Sequence, residues 1–196
     1  HMSATKHAQQ LKQDSQDYLT TALFQLLETH DLHEIKITAL VKRAGVSRMA
    51  FYRNYESLEE LLRAYFEPKV TALFNDVILQ VSHEKKAADM AAFFEEFEHT
   101  LTLAVNRHFE DIIRQIFNDN MASYYPQTAV WQQLTPTQQT YWVAFMSDGV
   151  SAIWRQWFLD GRQAPIETIH GLVGAFQRAT AVALTVGGPR PLELKN

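Results

Sequence analysis

The chain has no cysteine in its 196 residues. That excludes a disulfide framework, a thiolate metal site and a cysteine nucleophile, and it suits the cytoplasm. No apolar run reaches the length of a membrane span, and the N-terminus has no apolar signal segment. His1 before Met2 reads as a cloning remnant, with Met2 the natural start. Neither strand alternation nor an internal repeat is present. A Gly-rich phosphate loop and a nucleophile elbow are both missing. The histidines are scattered: His30-Asp31-Leu32-His33 and the distant His99 and His108 lack an i, i+4 metal pair, and His83-Glu84-Lys85-Lys86 does not continue into a zinc motif. Glu95, Glu96 and Glu98 read as a solvated helical face. The expectation is a chain that is not an enzyme and has no metal or cofactor.

The most telling absence is local. Between Ile35 and Tyr55 there is no acidic residue, while Lys36, Lys42, Arg43, Arg48 and Arg53 supply five basic ones. The whole chain carries a net charge of −4, so this is a basic island on an acidic protein. The same window reads as a short helix, a tight turn at Gly45 and a second short helix. Thr38 is expected to cap the first helix, whose apolar face is Ala39, Leu40 and Val41. Gly45 supplies the positive φ that a helix end demands. Ser47 stands where a hydroxyl can cap the second helix. That helix carries Arg48, Tyr52 and Arg53 and few apolar residues, so it is not built for a core. The pattern is a helix-turn-helix, and its second helix would enter the major groove of DNA.

The run Thr38…Ala44-Gly45-Val46-Ser47…Phe51-Tyr52-Arg53-Asn54-Tyr55…Leu61-Leu62 resembles the DNA-binding domain of the TetR family of bacterial transcriptional regulators. The resemblance covers roughly the first third of the chain. It implies a three-helix N-terminal domain, a larger all-helical effector domain and a homodimer. It also implies phosphate contacts at Thr38 and Tyr52, and a position at or near the groove for Ser47, Arg48, Met49 and Arg53. With the basic neighbours, the candidate DNA-binding set is Lys36, Thr38, Lys42, Ser47, Arg48, Met49, Tyr52, Arg53 and Tyr55. One residue departs from the family pattern: Leu58 stands where a backbone-contacting Lys is usual, and Glu56, Glu59 and Glu60 flank it. DNA affinity is then expected to be weaker, or carried by Lys36, Lys42 and Arg43.

The remainder reads helix after helix, about nine in total, so the expected class is all-α. The first helix runs from about Asp14 to Thr29 on Tyr18, Leu19, Ala22, Leu23, Leu26 and Leu27. Ser57 and Glu60 form a capping box that opens the fourth. Its apolar pattern continues to Val81, with Pro68 expected to kink it or start a new segment. His83 to Ala88 reads as a turn. Met90 to Ala104 is expected as one amphipathic helix, and Phe109 to Met121 as another. Tyr124 to Pro136 is the longest irregular stretch. Thr135-Pro136 opens a helix that reaches about Asp160 and stops at Gly161. The last helix runs from Ile166 to Gly187-Gly188-Pro189, and the tail from Arg190 to Asn196 is expected to be loose. The expected domains are residues 9–67 for DNA binding, with the helix-turn-helix at about 37–55, and 68–188 for ligand binding and dimerisation.

Glycine inside a helix costs roughly 1 kcal/mol against alanine. Gly149 beside Ala152, and Gly171 and Gly174 beside Ala175, therefore suggest close backbone approach. The resemblance implies that the last two helices form a four-helix bundle across a homodimer; packing within one chain is the alternative. Phe97, Phe117, Tyr124, Tyr125 and Trp131 are candidates to line a pocket for a small apolar or amphipathic effector, although aromatics at helical spacing also simply fill cores. Two functions follow. One is a cytoplasmic, dimeric repressor that binds operator DNA and is released by a small molecule. The other is an adaptor of the same fold that acts through a protein partner, with weak or no DNA binding.

Overall fold

The computed structural model describes residues 2–78, 82–187, 192, 194 and 195. Among the described residues there are nine α-helices and no strand. They are α1 (Met2–Leu27), α2 (Ile37–Ala44), α3 (Arg48–Asn54), α4 (Leu58–Leu73), α5 (His83–Glu96), α6 (Glu98–Asn106), α7 (Glu110–Tyr124), α8 (Pro136–Leu159) and α9 (Ile166–Val182). The chain divides into two compact units, His1–Val70 with Glu96–Ile116, and Thr71–Glu95 with Phe117–Asn196.

In the first unit Leu19, Leu23 and Leu27 of α1 meet Leu40, Phe51, Leu61 and Leu62 in a core where each is fully buried. Burying side chains of this size supplies roughly 1.5–3 kcal/mol apiece, which is what holds such short helices in place. The segment from α6 into α7 closes on the same core through Phe109, 6.4 Å from the Phe66 ring. Arg107 ties it to the corner after α1, with Nη2 donating to the Glu28 carbonyl at 2.6 Å. The Leu32 amide donates back to the Arg107 carbonyl at 3.3 Å.

Several local expectations are corrected. The first helix begins at Met2, not Asp14. Gln10 and Gln13 donate to Asp14 and Asp17 one turn on, each at 2.9 Å, and carry the helix across the expected start. Residues 3–13 are exposed, so no apolar periodicity announces them. Thr38 does not cap α2: the cap position is Lys36, without a side-chain bond, and Thr38 lies inside the first turn. Ala39 is exposed, leaving Leu40 and Val41 as the buried residues of that helix. The Ser57 box is half made. Ser57 Oγ accepts from the Glu60 amide at 3.1 Å, but Glu60 Oε2 accepts from the amide of Glu56.

Pro68 starts no new segment. The α4 helix runs through it to Leu73, and a π turn follows at Phe74–Ile78. Val81, at the end of the expected apolar pattern, lies outside the described residues. His83 to Ala88 is helical, because Ser82 caps α5, its Oγ and carbonyl accepting from the Lys85 and Lys86 amides. The expected Met90–Ala104 helix is two helices, broken at Phe97. The stretch between α7 and α8 holds two one-turn helices, Tyr125–Gln127 and Trp131–Gln133.

The second unit is built on α8. Trp142, Met146, Val150, Trp154 and Trp157 are buried along one face. Phe94 of α5 stacks on Trp154 at 5.6 Å and meets Trp157 edge-on at 5.1 Å. Thr135 caps α8 with a full box, accepting from the Gln138 amide at 3.2 Å while Gln138 Oε1 accepts from the Thr135 amide at 2.9 Å. Gly161 ends the region at φ 77°. After α9 a π turn spans Ala183–Gly187. Gly188, Pro189, Arg190, Pro191, Glu193 and Asn196, which carried the expected end and loose tail, lie outside the described residues.

Candidate functional site

The helix-turn-helix is assembled by its own local chemistry. Gly45 ends α2 with φ 69° and ψ 29°, and its amide closes on the Lys42 and Val41 carbonyls. Ser47 caps α3, its Oγ accepting from the Ala50 amide at 3.0 Å. Ala50 and Phe51 face the core, so the opposite side of α3 is turned out. Lys36, Thr38, Lys42, Ser47, Arg48, Met49, Tyr52 and Arg53 are all exposed. A methionine 73% exposed on a seven-residue helix is apolar surface spent on solvent. Such a side chain suits contact with a base methyl or a sugar.

Arg48 sits at the centre of this face. Its Nη1 donates to Thr38 Oγ1 at 3.3 Å, and its Nη2 to the Tyr52 phenol oxygen at 3.3 Å. The guanidinium carbon stands 5.4 Å from the Tyr52 ring centroid. The Tyr52 ring meets Phe51 edge-on at 5.2 Å, so one face of the tyrosine rests on the core while its hydroxyl reaches solvent. Arg43 turns the other way and donates to Gln25 of α1 at 2.9 Å. Phenol, hydroxyl and guanidinium donors exposed within one acid-free stretch of sequence can hold phosphates and reach base edges together.

Tyr55 does not belong to this face. It is 7% exposed, and its phenol meets Thr20 of α1. Burial raises its pKa, partly offset by the Thr20 hydrogen bond. Tyr55 is a strut between α3 and α1, and the sequence assignment is corrected accordingly. Leu58 is likewise 7% exposed, inside the core of the first unit. The missing lysine is thus replaced by a packing residue. Of the nearby glutamates, Glu60 is occupied by the Glu56 amide at 2.6 Å, and Glu59 remains on the surface.

The five candidate pocket residues are divided between the two units. Phe97 belongs to the first unit, at the break before α6; Phe117, Tyr124, Tyr125 and Trp131 belong to the second. Phe117 packs on Phe74 at 5.3 Å. Tyr125 is fully buried between Tyr124 at 5.4 Å and Trp142 at 5.7 Å. Its hydroxyl accepts from Gln177 Nε2 of α9 at 2.9 Å. Burial drives the Tyr125 pKa strongly upward, while the Gln177 bond works against the rise. Gln177 had no sequence signal, because a lone polar residue on an amphipathic helix looks solvent-facing. Among the described residues, Trp142 Nε1 and Ser147 Oγ of the same unit are buried without a hydrogen-bond partner.

The small residues expected at a dimer interface are on the surface. Gly149, Ala152, Gly171 and Ala175 are exposed and Gly174 is half-buried. A Cβ added at Gly149 or Gly171 would meet nothing within 4 Å, and at Gly174 only the end of Arg178. Among the described residues, no backbone therefore demands these glycines. Asp31, His33 and Glu34 bring ligand atoms within 4.8 Å of one another. That cluster has a structural role, since Glu34 Oε2 accepts from the Asp31 amide at 3.1 Å and Asp31 faces Arg107 at 3.7 Å.

The pattern for "Bacterial regulatory proteins, tetR family" matches residues 19–65. No curated protein sequence matches the chain. Among solved structures the chain is similar to the dihydroxyacetone kinase operon activator DhaS. The identity is 15%, the match covers 87% of this chain and 98% of that one, and the TM-score is 0.53. At such an identity the likeness concerns the fold.

Proposed function

Because the chain belongs to the TetR family of bacterial regulatory proteins through residues 19–65, we propose that it is a dimeric repressor released from operator DNA by a small-molecule ligand. It is a DNA-binding regulator of transcription. In our reading residues 9–67 bind DNA and 68–188 take the ligand and form the dimer, although Glu96–Ile116 packs with the N-terminal helices. The observation that carries the DNA half is the exposed face of Thr38, Arg48, Tyr52 and Arg53 within a window free of acid. Lys36, Lys42, Ser47 and Met49 complete the proposed contact set.

The dimer rests on the outer side of α8 and α9. Tyr141 and Phe145 are 70% and 67% exposed, and with Gly149 and Ala152 they repeat at the spacing of one helical face. Leu172 and Phe176 of α9 are exposed as well, beside Ala175. Large aromatics next to glycines in open space fit a second copy of the chain. The effector reading is supported by Trp142 Nε1 and Ser147 Oγ, buried polar atoms in an apolar unit that a ligand could satisfy.

Two observations favour other readings. DhaS, which shares the fold, is an operon activator, so the same architecture serves activation. Leu58 in the core and the exposed Glu56 and Glu59 leave no cation at the start of α4, which favours an adaptor with weak DNA binding. Binding of the purified protein to duplex DNA from its own upstream region, with and without candidate ligands, tests the proposal. Saturable binding that a ligand reverses supports it. A folded dimer that ignores DNA supports the adaptor.

A further inference from the structure

Two grooves flank α1, and their charges differ. One, about 510 Å³, is lined by Asp17 and Lys69 among uncharged neighbours such as Tyr55 and Tyr65. The other, about 520 Å³, is lined by Ala8, Leu11, Lys12 and Ser15 of α1 and by Ala50, Arg53 and Asn54 of α3. The second groove contains two cations and no acid. Like charges lining one groove repel unless an anion lies between or beside them. The acids closest in sequence to Lys12 do not line this groove: Asp14 is held by Gln10, and Asp17 faces the other groove.

The α1 extension has no core to explain it. Residues 3–13 are exposed, the first buried residue is Leu19, and Leu11 is left in the open wall of the groove. Residues 2–13 contain Lys6 and Lys12 and no acidic residue. A short polar helix without a buried face is marginal by itself in water, which suits a segment that gains a partner. Gln16 joins it to the recognition helix, donating to Asn54 Oδ1 at 3.3 Å.

We infer that the groove between the extended α1 and α3 is a second nucleic-acid surface, in which Lys12 holds a backbone phosphate of the DNA that α3 enters. This deepens the proposed function and rests on it. Lys12 then adds affinity without sequence preference, because a phosphate contact carries no base information. The contact lies outside the helix-turn-helix window.

The test compares Lys12→Gln with wild type and with Lys85→Gln, which removes the same charge from α5 in the other unit. Fluorescence anisotropy is read on upstream-region duplex and on random-sequence duplex across a salt series. Both lysines are exposed, and circular dichroism checks that the variants fold. The expected result for Lys12→Gln is a loss of about fivefold on both duplexes at physiological salt, with the slope of log K against log salt shallower by about 0.9. Lys85→Gln should keep the wild-type slope. A Lys12→Gln slope equal to that of wild type, or equal changes in both variants, overturns the groove while leaving the helix-turn-helix standing. A wild-type protein that binds neither duplex overturns the DNA reading itself, and the groove with it.

Discussion

Arg48 reaches back across the turn to Thr38, Nη1 to Oγ1 at 3.3 Å, so the recognition helix and the helix before it share a hydrogen bond on their exposed side. The bond is solvent-exposed and contributes little to stability. Its consequence is placement. Arg48 is held over Tyr52 before any partner arrives, and less rotamer freedom remains to be lost on binding.

Arg48→Ala should therefore weaken operator binding and leave the fold intact. A good arginine–guanine pair is worth roughly 1–3 kcal/mol, or about 5- to 150-fold. Anisotropy titration with the upstream duplex reads the loss, and circular dichroism verifies the helices. Unchanged affinity at physiological salt would remove Arg48 from the contact set.

Tyr52→Phe removes the oxygen that accepts from Arg48 and keeps the ring on Phe51. Affinity for operator and random duplex should fall by similar factors, as expected for a group that positions and does not specify. A variant that lost operator preference but kept its non-specific affinity would contradict this. A silent variant would show that only the ring matters.

Phe145→Glu places a charge on the exposed aromatic face of α8, where the ring is 67% exposed. Sedimentation should shift from dimer toward monomer, and DNA binding should weaken with it. Two recognition helices must sit about 34–36 Å apart to meet successive major grooves, and one alone selects poorly. A Phe145→Glu protein that stays dimeric would place the interface elsewhere.

Tyr125 gives the fold an alkaline limit. In the unfolded chain its phenol ionises near the ordinary value of 10.0, whereas burial keeps it protonated well above that in the folded chain. The folded state then binds the extra proton, so the stabilisation is whole below pH 10 and is lost as pH rises beyond it. The decline approaches about 1.4 kcal/mol per pH unit for one such group. Burial raises Tyr55, Tyr65 and Tyr124 in the same direction. Urea unfolding across alkaline pH should show a shallower decline for Tyr125→Phe than for wild type. At neutral pH that variant should be less stable by about 1 kcal/mol, through loss of the Gln177 bond. Parallel pH profiles would show that Tyr125 is not the group responsible.

What the sequence determined by itself was local. Gly45, Ser47, Thr135 and Gly161 act through their own backbone and nearest turn, so their turns and caps were legible from residue type. The all-α class and the basic window were legible for the same reason: helical spacing and charge are properties of short segments. Thr38 was misread because a hydroxyl near a helix start looks like a cap until the backbone fixes which residue precedes the first turn. The extended α1 escaped because a polar helix leaves no apolar stripe. Only tertiary structure could bury Tyr55, since its neighbours in the chain are polar and its place depends on Thr20 of α1, whereas Leu58 shares the apolar stripe of Leu61 and Leu62 and was legible from its spacing. It alone joined Gln177 to Tyr125 and Lys12 to the Arg53 groove, across 52 and 41 residues of chain. Contacts at such separations come from packing distant faces together, and no pattern within a window of sequence encodes them.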